Sequence, residues 1–267
     1  MANQIRIMNE NRQVTIKTLK IIAMVTMVID HVGLCMWMPY CQSLGVNMSG
    51  FFDNPYILTY RIMRLIGRLA FPLYCFMLVE GFHHTRDAKK YMVRLFALAI
   101  ISEIPFDLAI FGKPFYLAYN NVIWTLLIGL LGIYLIDKIR AYRPGDFAYN
   151  MLYLEAPALI VFLAALAGYA LHTDYGAAGA AGIVLLYLIY RGEWKTACTG
   201  LSILIGMVAF ASSNIKELAA LLILIPIYFY HGKKGEVSRG LNRFFYIFYP
   251  LHLAIIAIVI WIWKVYI

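Results

Sequence analysis

Apolar runs of about the length that crosses a bilayer recur from one end of this chain to the other, separated only by short polar joints. An α-helix needs about 20 apolar residues to traverse roughly 30 Å of hydrocarbon. Nine such runs are expected as helices, at 18–38, 57–82, 91–111, 117–136, 152–171, 175–190, 196–212, 216–231 and 244–264. The sixth and eighth are short, so the count allows eight to ten crossings. Composition agrees: 63% of residues are hydrophobic, 14% are charged and the mean hydropathy is +0.73. Soluble chains average about 45 to 50% apolar and about 25% charged. The expected fold is all-α, a polytopic transmembrane bundle formed by one integral domain over residues 1–267.

Basic residues supply an orientation, because cytoplasmic loops hold an excess of Lys and Arg. With the N-terminus inside, 17 of the 23 basic residues fall on the inner side, including Arg6, Arg12, Lys17, Lys20, Arg86, Arg143 and Lys234. Three, Lys113, Lys216 and Lys264, fall outside, and three more lie within the second helix. The expected topology is N-in and C-out, in a bacterial-type cytoplasmic membrane. The net charge of +9 then reflects topology, and no nucleic-acid partner is expected from basic residues dispersed among joints. The first run is about 20 residues long and lacks an A-x-A-like cleavage site, so it is expected to remain as a helix. Cys35, Cys41, Cys75 and Cys198 show no metal-ligand spacing and read as free thiols. Aromatics near segment ends, such as Trp37, Tyr40, Trp194, Trp261 and Trp263, fit interfacial belts. Gly176, Gly179 and Gly182, with alanines between them, point to close helix packing rather than a nucleotide loop.

The first run, Leu19 to Met38, carries Asp30 and His31 deep within it. An Asp at the centre of a membrane helix is unfavourable by about 2.5 to 3.5 kcal/mol, so buried ionisable groups there are functional candidates. The second helix adds Arg61, Arg64 and Arg68 on one face. Arg68 lies about 16 Å inside at 1.5 Å per residue, too deep to snorkel, and requires an anionic partner or a wet cavity. Glu103 and Asp107, one turn apart on the third helix, fall at a similar level to His31. Consecutive residues diverge by about 100° on a helix. An acid from another helix is therefore better placed than Asp30 to orient His31, and Asp30 is expected to serve an Arg. A structural ion-pair network is the plain alternative.

Lys20 precedes His31 by eleven positions, three turns, and so shares its face. At the inner end of the second helix stand Glu80, His83, His84 and Arg86; adjacent histidines face different ways, and no metal is expected. His252 follows Pro250 in the last helix and reads first as a packing residue, with Glu80 and His252 also entering the candidate donor-binding set.

Six stretches, in order, carry a resemblance: LKIIAMVTMVIDHVG at 19–33, RLIGRLAFPLYCFMLVEGF at 64–82, RLFALAIISEIPFDL at 94–108, NVIWTLLIGL at 121–130, DYGAAGAAGIVLLYL at 174–188 and FYIFYPLHL at 245–253. The chain resembles the TraX family of membrane proteins over nearly its whole length. That family is named for an enzyme that acetylates the N-terminus of conjugative pilin, so the resemblance implies acetyl transfer from acetyl-CoA. Acyltransferase-three type membrane enzymes carry Arg, ten residues, then His in their first helix. Lys20 and His31 show a similar spacing, with Lys keeping the charge and losing the planar fork for bidentate phosphate binding.

The resulting expectation is an acetyltransferase that draws on cytosolic acetyl-CoA, its phosphates met by Lys20 and Arg86. His31 acts as base or acetyl acceptor, Glu103 or Asp107 holds its tautomer, and Arg64 or Arg68 offsets the oxyanion. The acceptor is an amine or hydroxyl on a pilin-like peptide, glycan or small molecule. A proton-coupled transporter is the alternative from another class, because acid, His and Arg groups in a bundle also suit a proton relay. A structural membrane protein is the third.

Overall fold

The computed structural model describes residues 14–48, 54–142, 146–230, 232, 233, 235 and 239–266, with backbone alone for 146–154, 239, 242, 265 and 266. Of the residues counted for orientation, Arg6, Arg12, Arg143 and Lys234 lie outside this set. Among the described residues the chain is all-helical. The elements are α1 (Ile16–Val32), a π-helical turn (Gly33–Trp37), α2 (Met38–Ser43), α3 (Pro55–Gly67), α4 (Ala70–His83), α5 (Ala88–Phe111), α6 (Val122–Ala141) and α7 (Asp146–Ala170). There follow α8 (Gly176–Ile189), α9 (Trp194–Ala211), a 3₁₀ segment (Ile215–Ile223), α10 (Leu224–Tyr228) and α11 (Arg239–Tyr266). Joined end to end where they continue one another, these form nine rods that match the nine apolar runs.

Among the described residues, five stretches are long and apolar enough to cross a membrane: Ile16–Ser43, Pro55–His83, Val122–Ala141, Trp194–Ala211 and Arg243–Lys264. Large apolar side chains such as Val93, Ile101, Phe162, Leu166, Ile255 and Ile258 face outward. In water such a surface promotes association; against lipid tails it is the expected outer face of a bundle.

Three departures from continuous helices have local causes. The second run breaks after Gly67, because Pro72 lacks an N–H and its ring displaces the carbonyl of Arg68, four residues earlier. The first run widens into a π turn, where the N–H of Met38 reaches back to the carbonyl of Gly33 and makes room for Pro39. The eighth run is mostly 3₁₀, and Glu217 projects from its first turn. A further correction concerns the fourth helix, which begins at Val122 and not at 117. Asn121 caps it by accepting from the N–H of Ile123 at 2.9 Å.

Helix α8 is the packing centre, buried along nearly its whole length against α6, α7 and α9. Its small residues are there for proximity. A methyl group on Gly182 would meet Leu204, and one on Gly179 would meet Thr125 and Phe71. All four cysteines are free thiols. Helix α11 packs on α5 and touches α1, bringing the last rod beside the first.

Candidate functional site

The polar interior assembles where α1, the α3–α4 break, the α7–α8 turn, the 3₁₀ segment and α11 meet. Arg64 Nη1 donates to Asp30 Oδ2 at 2.6 Å, the Arg partnership expected for Asp30. Gly67 makes that approach feasible, since any Cβ there would overlap the Asp30 carboxyl. One turn on, Arg68 pairs with Glu217 at 3.1 Å and interacts electrostatically with Tyr175. Tyr175 holds a left-handed φ of 64° while its ring stacks on Phe71 at 3.7 Å. For an aromatic residue that conformation is strained and persists only where its surroundings hold it. Asp174 completes the group: it accepts from Tyr119 Oη at 2.9 Å and interacts electrostatically with both arginines and with Asp30. Its backbone is held in turn by Asn120, whose carbonyl accepts the Asp174 N–H at 2.9 Å. Two guanidiniums are therefore set against three carboxylates, a network that needs every partner to be stable in a low-dielectric interior.

His31 meets a different partner from the one expected. Its Nδ1 lies 2.7 Å from His252 Nε2. The ring centroids are 5.0 Å apart and the planes differ by 16°, so the two nitrogens lie between the centroids and the rings meet edge to edge in one plane. His252 Nδ1 in turn lies 2.9 Å from the carbonyl of Phe248. A carbonyl only accepts, so that nitrogen carries a proton. A neutral His252 then presents a lone pair at Nε2, His31 donates through Nδ1–H, and the unprotonated nitrogen of His31 is Nε2. Among the described residues, Nε2 has no hydrogen-bond partner.

Glu103 and Asp107 are spent elsewhere. Glu103 Oε1 accepts from Trp124 Nε1 at 2.6 Å and from Asn121 Nδ2 at 2.8 Å, and Asp107 Oδ2 accepts from the N–H of Tyr116 at 2.7 Å. Both hold the 112–121 loop against α5, and neither reaches His31. Glu80 is a staple at the other end of the bundle, where its two oxygens accept from Tyr190 and Tyr230 hydroxyls at 2.8 and 2.7 Å. Arg86 lines a cleft of about 430 Å³ with Lys89, Lys138, Asp137 and Tyr187. Lys20 sits over the Phe245 ring at 4.9 Å, which puts it between α1 and α11, below the histidine pair.

Sequence reasoning missed Glu217, Asp174, Tyr175 and Tyr119. Glu217 had a visible signal, a lone carboxylate at the head of an apolar run, and Asp174 stands at the head of the small-residue helix.

Comparison with known proteins places the chain. A family model described as TraX protein matches residues 15–260. A probable fimbrial assembly protein FimC, serogroup H1, of Dichelobacter nodosus is 31% identical over 268 residues, covering 94% of this chain and 97% of that one. Protein TraX of Escherichia coli is 26% identical over 254 residues, covering 90% and 85%. No solved structure matches significantly. With the family model spanning almost the whole helical bundle and both ends of its polar network, this membrane protein belongs to the TraX family.

Proposed function

We infer that the chain is a membrane-embedded acetyltransferase, moving an acetyl group from acetyl-CoA to an amine or hydroxyl, with His31 Nε2 as the base. The family name is associated with pilin acetylation, and one relative is named for fimbrial assembly; a pilin-like peptide amine is the acceptor class these names favour. The observation that carries the chemistry is the hydrogen-bond chain that leaves Nε2 as the basic nitrogen of His31, beside Arg64. A neutral amine attacks the thioester carbonyl while Nε2 takes its proton. Arg64 gives one N–H to Asp30 and keeps others for the oxyanion. Collapse of the tetrahedral species breaks the C–S bond, and the proton passes from His31 to the departing CoA thiolate. Lys20 stands toward the basic end of α1, about three turns from His31, where a donor entering from the cytosol with its phosphates outward is met by positive charge. This reading adopts the N-in, C-out orientation in a bacterial inner membrane.

Purified protein in lipid nanodiscs, incubated with acetyl-labelled CoA and an N-terminally free pilin-like peptide, is expected to release CoA and label the peptide. His31→Ala, at equal membrane expression, is expected to abolish turnover. Wild-type turnover in that variant removes His31 as base. No CoA release from the wild-type protein with amine or hydroxyl acceptors overturns the acetyltransferase reading.

A further inference from the structure

General bases of this kind are usually oriented by a carboxylate, yet no carboxylate among the described residues interacts with His31. Asp30 points to Arg64, Glu217 to Arg68, Asp174 to Tyr119, and Glu103 and Asp107 to the 112–121 loop. The position a carboxylate would take is filled by the imidazole of His252. Pairing two histidines 221 residues apart, each on its own rod, is a specific arrangement, and nothing in packing alone requires a 2.7 Å in-plane contact between their nitrogens.

We propose that His252 is the positioning residue of this site, fixing the Nδ1–H tautomer of His31 and holding the proton that His31 takes up. The proposal rests on the acetyltransferase reading for its rate consequences but not for its tautomer.

The proton balance is explicit. When Nε2 of His31 takes a proton from the acceptor, the ring becomes an imidazolium with both nitrogens protonated. The Nδ1 proton then crosses the existing hydrogen bond to Nε2 of His252. His31 is left neutral, with its proton now on Nε2 facing the leaving group, and His252 becomes the imidazolium, its Nδ1–H still on the Phe248 carbonyl. The return transfer restores both rings when Nε2 gives its proton to the CoA thiolate. Local charge favours the forward move. Arg64 interacts electrostatically with His31 and repels positive charge on that ring, whereas the carbonyls of Phe248 and Tyr249 face His252 and attract it. Two imidazoles thereby do with neutral groups what a carboxylate does with a fixed negative charge, and they add none to an interior already holding three carboxylates against two guanidiniums.

Two substitutions separate orientation from proton holding. His252→Gln keeps a carbonyl oxygen to accept from His31 Nδ1–H and loses the ability to carry a proton; His252→Leu loses both. The first readout needs no donor or acceptor: nitrogen NMR of histidine-labelled full-length protein in nanodiscs at neutral pH, with resonances assigned by single-site replacement. The wild-type protein and His252→Gln are expected to show His31 protonated on Nδ1 with Nε2 bare, and His252→Leu a mixture of tautomers. The second readout is turnover. For acid–base steps worth about 10²- to 10⁴-fold, kcat is expected to fall about tenfold in His252→Gln and about 100-fold in His252→Leu, with KM for acetyl-CoA nearly unchanged. A proton on Nε2 of His31 in the wild-type protein, or an unaltered tautomer in His252→Leu, overturns the orienting role. Wild-type kcat in His252→Gln overturns the proton-holding role. The expected tautomers without any acetyl transfer uphold the pairing and remove the acetyltransferase reading instead.

Discussion

The pair that closes the helix break to the 3₁₀ segment is the sharpest stability test. Arg68 and Glu217 stand 3.1 Å apart with side chains 18% and 8% exposed. At that separation and an effective dielectric constant of about 20, the attraction is about 5 kcal/mol before desolvation is subtracted. Glu217→Leu removes the acid and leaves Arg68 in the interior with the Tyr175 hydroxyl and more distant carboxylates. Breaking one side of a buried pair costs about 3 to 5 kcal/mol, whereas replacing both partners with apolar groups of similar volume is often neutral or stabilising. Glu217→Leu is therefore expected to lose about 3 kcal/mol and Arg68→Met/Glu217→Leu far less, so that the two single losses are strongly non-additive in a double-mutant cycle. The assay is reversible unfolding of the purified protein in mixed micelles. Additive losses, or a double variant weaker than the single, would refute the claim that this ion pair joins the two segments.

Two further outcomes follow from single positions. Gly67→Ala inserts a methyl group into the space of the Asp30 carboxyl and is expected to destabilise by about 1 to 3 kcal/mol while lowering turnover; wild-type midpoint and rate together would show that the helices part freely there. Asp87 caps α5 by accepting from the N–H of Lys90 at 3.0 Å, and that bond, with the nearby Lys90 ammonium, holds its carboxyl below the ordinary range. Its contribution is full above the ordinary carboxylate range and is lost as pH falls through its depressed folded value. Asp87→Ala is therefore expected to lower the thermal midpoint at neutral pH and to narrow its gap to wild type in acid; a gap unchanged by pH would remove the capping account.

The charged interior resembles what transporters also carry, and the geometry explains why the acetyltransferase reading is preferred. In the network, Arg64 pairs with Asp30, Arg68 pairs with Glu217, and Asp174 accepts from Tyr119. Beside that network, the hydrogen-bond chain from Phe248 through His252 leaves Nε2 of His31 as a basic nitrogen next to Arg64, which suits chemistry at a single point.

What the amino-acid pattern decided by itself is the class of object: runs of hydrocarbon-spanning length in all-helical order, a small-residue helix made for close packing, and arginines too deep to lack acids. These are local properties, readable because a helix advances 1.5 Å and 100° per residue regardless of its neighbours. Asp30 was legible as an arginine ligand on the same grounds. The break at Arg68 was also local, written in Pro72 four residues on, but its consequence was not. Which acid meets which arginine depends on how rods rotate about their own axes when they pack, and no periodicity within one segment encodes the azimuth of another. Residue counting puts Glu103 and Asp107 at the level of His31, and both face a loop instead. His252, from the far end of the chain, reaches the ring because α11 lies beside α1. The tertiary structure alone decided that, and with it which nitrogen of His31 is left bare.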